Sequence, residues 1–241
     1  MKTLIIPDSH LKLDKLSAIL GNVDYDEAVF LGDWFDDQDD NVKMNLDAYA
    51  FLETLMKNDN HHFVWGNHDL HYAYYSNVTA CSGWKIEKWL ALTDVMDMKL
   101  MESKFKFHHI VDNWLLTHAG LTNQIAQKKI KGNITLKKID NLLKRETPIA
   151  IKALYNKHCH WFYDAGVARG GRSEFGGIVW CDVNREFEPI EGIDQIFGHT
   201  PVSTTAPYMP SEGNICLDTH LNHYIIMEDG VAHINSVINL V

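Results

Sequence analysis

The stretch Ala28-Val29-Phe30-Leu31-Gly32-Asp33-Trp34-Phe35-Asp36 decides how this chain is read. Four apolar residues stop at a glycine and are followed by carboxylates. An apolar run bounded by a turn signal reads as a buried strand, and residues just past its C-terminal end fall where open α/β sheets place ligands. The same grammar recurs. Leu4-Ile5-Ile6-Pro7 leads into Asp8-Ser9-His10, and Phe63-Val64-Trp65 into Gly66-Asn67-His68-Asp69. Trp114-Leu115-Leu116-Thr117 leads into His118-Ala119-Gly120, and Ile196-Phe197 into Gly198-His199-Thr200. Five hydrophobic runs that each end in Asp, Asn or His argue for one shared site.

Between these runs the pattern alternates. Residues 3–7, 27–31 and 61–65 read as strands, and residues 11–20 and 43–57 follow a helical apolar period, with a further helix starting near Asp69. Alternation of this kind predicts a layered α/β fold. Residues 105–110 and 112–117 read as two strands about a turn at Asp112-Asn113. The C-terminal third returns to strands at 177–181, 193–197, 215–217, 222–227 and 231–237. The acidic run Asp36-Asp37-Gln38-Asp39-Asp40 reads at Asp39 and Asp40 as a solvated turn before a helix, and Asp69 as a helix N-cap. No repeat or linker interrupts the 241 residues, so a single domain, 1–241, is expected.

The net charge of −10 is unevenly spread. Leu121 to Arg172 carries eleven Lys or Arg against three acids, and the rest of the chain eleven against twenty-nine. The segment is helical by period and reads as a basic insertion, about 121–176, with Pro148 either breaking it or opening a second helix. A basic face of this kind suits an anionic partner, nucleic acid among them, although solvated lysines account for it equally well. No apolar run approaches the roughly 18 residues that span a bilayer, so no membrane partner is expected. The four cysteines are scattered without a C-x-x-C pair, which points to reduced thiols and a cytoplasmic protein and excludes a zinc ribbon.

Fourteen histidines make metal ligation worth pursuing. Asp8, His10, Asp33, Asn67, His118 and His199 offer carboxylate, imidazole and amide oxygen, a donor set that suits Mn²⁺, Fe²⁺ or Zn²⁺. Six donors on separate strand ends are accommodated most economically by two ions sharing one carboxylate. Two ions about 3.5–4 Å apart clamp both the attacking and leaving oxygens of a phosphoryl displacement.

In order and spacing, Asp8-x-His10, Gly32-Asp33-x-x-Asp36, Gly66-Asn67-His68-Asp69, His118-Ala119-Gly120 and Gly198-His199-Thr200-Pro201 resemble the five blocks of the calcineurin-like metallophosphoesterases. Trp180-Cys181-Asp182 and Cys216-Leu217-Asp218-Thr219 are similar to segments of the phosphoprotein phosphatases. The Gly-Asn-His-Asp block is nearer to the bacterial diadenosine tetraphosphate hydrolases. The resemblance implies a four-layer α/β/β/α sandwich with a helical cap insertion. It also implies a pair of divalent ions, Mn²⁺ foremost, and hydrolysis of phosphate monoesters by a metal-bridging hydroxide. Carried over position by position, Asp8 and His10 bind the first ion, Asp33 bridges, and Asn67, His118 and His199 bind the second. His68 becomes the general acid and Asp36 the group that orients it.

The expected substrate is a phosphoprotein, as for a serine/threonine phosphatase of bacterial or phage type. A nucleotide-directed hydrolase acting on a dinucleoside polyphosphate or RNA phosphoester is the alternative, and a non-catalytic scaffold of the same fold a remote one. One departure stands out: where the phosphoprotein phosphatases carry an Arg that clamps phosphate, this chain has Asp37. A compensating cation must come from elsewhere, with Arg172 the first candidate and Arg169 the second.

Overall fold

The strand grammar of the N-terminal third is realised in a six-stranded sheet. In the computed structural model, which describes residues 1–240, β1 (Lys2–Ile6), β2 (Glu27–Phe30), β3 (His61–Val64) and β4 (Phe105–Lys106) run parallel. The antiparallel hairpin β10 (His223–Glu228) and β11 (Val231–Ser236) completes the order β11-β10-β1-β2-β3-β4. A second sheet has the order β5-β6-β7-β9-β8. Its parallel centre is β6 (Trp114–Leu116), β7 (Asp194–Phe197) and β9 (Asn214–Cys216), with β5 (His109–Val111) and β8 (Tyr208–Ser211) antiparallel at the edges.

Side chains on a strand alternate between its faces, and this alternation generates the layers. Ile5, Val29, Val64 and Ile225 of the first sheet meet Leu116, Ile196 and Ile215 of the second in one fully apolar interface. Their neighbours Leu4, Ile6, Ala28 and Phe30 face the other way. They share a cluster with Leu16 and Ile19 of α1 (Leu13–Asn22) and Leu52 and Met56 of α2 (Val42–Met56). Leu115, on the opposite face of β6, belongs to the same apolar cluster as Ile139, Leu142 and Leu143 of α7 (Leu136–Tyr155). The result is the four-layer α/β/β/α sandwich, with α3 (Asn67–Ala73), α4 (Ile86–Thr93), α5 (Met98–Lys104) and α6 (Asn123–Lys129) completing the helices.

Three expectations are corrected. Residues 177–181 form no strand: Trp180 and Cys181 donate back to the Gly177 carbonyl, both at 2.9 Å, and the segment turns tightly instead of extending. The run 105–110 is divided between sheets, Phe105–Lys106 pairing with β3 and His109–Val111 with β6 across the expected turn at Asp112-Asn113. Pro148 neither breaks a helix nor starts one, but lies inside the continuous α7. It is exposed, as is Lys144, so the carbonyl that loses its N–H partner is free to meet water. Buried Ile139, Leu142 and Leu143 before it and Ala150 and Leu154 after it hold the helix on one face. Among the described residues no helix is long and apolar enough to cross a membrane.

Candidate dinuclear metal centre

The strand ends deliver the donors. Asp8 follows β1, Asp33 follows β2, Asn67 opens α3 just past β3, and His118 and His199 follow β6 and β7. Asp8, Asp33, Asn67, His118 and His199 are all buried, and His10 is partly so. Asp33 Oδ2 lies 3.5 Å from His10 Nε2 and 3.4 Å from His118 Nε2, so one carboxylate oxygen faces two groups of donors. On one side, Asp8, His10 and Asp33 bring donor atoms within 4.8 Å of one another, and Asp33, His118 and His199 do so on the other. Asn67 Oδ1 lies 3.0 Å from His118 Nε2 and 2.8 Å from His199 Nδ1.

Backbone carbonyls fix which nitrogens point inward. His118 Nδ1 donates to Leu31 O at 2.8 Å and His10 Nδ1 to Asp36 O at 2.7 Å, which leaves both Nε2 lone pairs facing Asp33. Crowding this dense explains two glycines. A Cβ on Gly66 would lie 2.2 Å from Asp33 Oδ1, and one on Gly198 would lie 1.7 Å from Asp8 Oδ2.

The cluster fits a pair of cations. Asp8 Oδ2 and His199 Nε2 are buried without a hydrogen-bond partner among the described residues, an expensive state unless an ion satisfies its surroundings. Burial, Asp218 and Asp33 raise the Asp8 carboxyl well above the usual range. Burial opposes protonation of His118, but Asp33 and Asp8 outweigh it and push its pKa up to about 9. Burial and the neighbouring His118 hold His199 neutral, the form that ligates. Bare, the centre borrows protons to balance its carboxylates; divalent ions remove that need.

Beside the cluster, His68 Nδ1 bonds Asp36 Oδ2 at 2.8 Å. Burial disfavours the imidazolium, but Asp33, Cys81 and Asp36 overcome this and push the His68 pKa well above the ordinary imidazole range. The other Asp36 oxygen accepts from Tyr72 OH at 2.6 Å and from the Lys88 ammonium. Lys88 is 1% exposed and also holds Asp40, at 2.8 Å. Sequence reasoning missed Lys88 and Tyr72, and the solvated reading of Asp40 is corrected: Asp40 is buried, bonded to Lys88 and Asn45.

Asp69 is not an N-cap either, because α3 starts two residues earlier, at Asn67. Its carboxylate accepts from Gly66 N at 3.0 Å and reaches across to Asp33 N at 2.9 Å and Trp34 N at 2.8 Å. The pattern Gly-x-x-Asp ahead of a helix was the available signal.

Arg169 lies close to the centre, its Nη2 donating to Thr200 Oγ1 at 2.9 Å and its Nε 2.9 Å from Asp182 Oδ2. Arg172 is exposed in the glycine-rich loop. Asp37 is ion-paired with Lys12 at 2.8 Å, and both line a cavity of about 360 Å³ with His10, Asp36 and His68. No residue of α6 or α7 contributes to that lining.

Known proteins supply the context. No curated protein matches the chain by sequence. Among solved structures, a cold-active protein-tyrosine phosphatase of the psychrophile Shewanella sp. superposes with a TM-score of 0.57 at 14% identity, over 98% of this chain and 78% of that one. A putative diadenosine tetraphosphatase gives 0.53 at 16% identity, over 98% and 93%. A protein serine/threonine phosphatase from Saccharomyces cerevisiae gives 0.51 at 13%, over 98% and 79%. At such identities the likeness is one of fold. The sequence profile of the calcineurin-like phosphoesterases, however, matches residues 1–203, most of the chain and all five loops at the centre. This chain belongs to the calcineurin-like phosphoesterase family, hydrolases of phosphoesters.

Proposed function

We propose that this phosphoesterase hydrolyses phosphate monoesters at two divalent cations, with Mn²⁺ the best match to its N/O donors, and that its substrates are proteins phosphorylated on serine or threonine. The observation that carries the metal reading is Asp33 Oδ2, placed between the inward nitrogens of His10 and His118. Asp8 and His10 would hold one ion, and Asn67, His118 and His199 the other, with Asp33 shared. Ions so held supply charge stabilisation at the phosphoryl oxygens and acidify a water.

The remaining work falls to the protein. His68, its Nδ1 fixed by Asp36, has Nε2 left to protonate the departing oxygen. Tyr72 and Lys88 keep Asp36 anionic by donating to its second oxygen. Arg169, adjacent to His199 through Thr200, is better placed than Arg172 to offset the charge that a phosphate brings.

Two features favour a phosphorylated side chain over a nucleotide. Among the described residues, those lining the cavity beside His10 and His68 include no Phe, Tyr or Trp ring on which a base could stack. The basic segment runs along the second sheet, and two of its lysines are already paired, Lys128 with Glu174 and Lys144 with Asp140. The test is a panel run with Mn²⁺: a phosphoserine peptide, a cyclic phosphodiester and diadenosine tetraphosphate. Phosphopeptide turnover is expected to exceed the others in kcat/KM. A reversed ratio would transfer the chain to the nucleotide-directed class.

A further inference from the structure

Next to the six donors lies a second set of metal-binding atoms with different chemistry. Asp36 Oδ2, His68 Nδ1 and Cys81 Sγ lie within 4.8 Å of one another. The oxygen is 2.8 Å and the sulfur 3.5 Å from the shared imidazole nitrogen. They come from three separate segments: the loop after β2, the helix α3 and the connection from α3 to α4. Carboxylate, imidazole and thiol together form a borderline-soft set that selects zinc over manganese, whereas the dinuclear set contains no sulfur.

The surroundings hold this triad in place. His71 Nδ1 accepts from Cys81 N at 3.1 Å and lies 3.3 Å from Cys81 Sγ, so it holds the Cys81 loop against the triad. Gly83 packs so closely that a Cβ there would sit 3.1 Å from the Asp36 side chain. The cavity beside the site gives access, because Asp36, His68, Ser82 and Gly83 all line it. Charge leaves room for one dication. With Cys81 as thiolate, Asp36, Asp40 and Cys81 carry three negative charges against the single positive charge of Lys88, which lies on both carboxylates.

We propose that Asp36, His68 and Cys81 form a third metal site, which takes Zn²⁺ with water as its remaining ligand and whose occupation stops turnover. Binding releases the thiol proton and the Nδ1 proton to solvent, and no electrons move. His68 is then a neutral, metal-bound imidazole with no readily donated proton, and Asp36 is engaged by the ion. The inhibition rests on the general-acid reading of His68; the binding does not.

The test compares wild type with Cys81→Ser, both loaded with excess Mn²⁺ to keep the dinuclear donors filled. One further equivalent of Co²⁺, a spectroscopic stand-in for zinc, should give a thiolate-to-cobalt charge-transfer band that Cys81→Ser lacks. Zinc should inhibit wild-type hydrolysis of a phosphopeptide at concentrations at least about tenfold below those needed for the variant, each measured against that protein's own zinc-free activity. Absence of the band, or its persistence in Cys81→Ser with exposed Cys159 as its source, would overturn the site. A band with equal zinc inhibition of both proteins would overturn the inhibitory role and place the zinc effect at the dinuclear donors.

Discussion

His68 takes its role from what surrounds it. Asp36 binds its Nδ1, and Asp36 is in turn held by Tyr72 and Lys88, so the imidazole cannot rotate without breaking a buried network. Removing Lys88 would leave Asp36 and Asp40 facing each other as like charges, which explains a lysine with almost no exposed surface. Because none of these bonds involves the six donors, the acid and the metals should separate experimentally. In His68→Asn, bound metal measured by elemental analysis is expected to equal wild type. Turnover of a phosphate ester with a poor leaving group should fall by about 10²-fold or more. An ester whose leaving group needs no proton should lose far less. Near-normal turnover on the poor leaving group would remove His68 from the mechanism.

Between strand and helix, the chain stores strain where the donors emerge. Asp33, His199 and Asp36 have φ of 53°, 67° and 63°, a region that residues with side chains avoid. The first turn of α3 compensates: Asp69 accepts from Gly66 within its own helix start and from Asp33 and Trp34 of the neighbouring loop. One carboxylate thus holds the helix start and the Asp33 loop together. Asp69→Ala leaves three buried N–H groups unpaired at roughly 1–3 kcal/mol each. It is expected to cost more than about 2 kcal/mol in urea unfolding and to lower metal occupancy as well. A variant within about 0.5 kcal/mol of wild type, the usual range for surface changes, would reduce Asp69 to an ordinary helix residue.

The contrast shows what a sequence can carry. Strand ends punctuated by Gly, Asp and His are local, so the six candidate donors and the pair Asp36–His68 are visible in the sequence. Lys88 and Tyr72 reach Asp36 across 52 and 36 residues, and nothing in their own neighbourhoods marks them. The turn at 177–181 went unread because an apolar segment held by glycine contacts looks like a strand. Pro148 misled because its exposure, which makes it tolerable, is a tertiary property.

Across the whole molecule, the centre joins two layers. Asp8, Asp33 and Asn67 extend from the first sheet, His118 and His199 from the second, and between the sheets lies the apolar interface around Ile5, Val29, Leu116 and Ile196. Ions held by both sets would act as cross-links, and by linkage would stabilise the fold by about 2.7 kcal/mol when present at a hundred times Kd. Without them, burial beside Asp218 and Asp33 disfavours the ionised Asp8 carboxylate at the sheet junction itself. Chelation should therefore lower the melting temperature by several degrees, and Mn²⁺ should restore it in a concentration-dependent way. In Asp33→Asn, with the shared carboxylate gone, metal content should collapse and chelation should shift the melting temperature little. If chelation left wild type unmoved while removing its metal, the donors would not be linking the sheets. If Asn at position 33 retained two ions, Asp33 would lose its place between them.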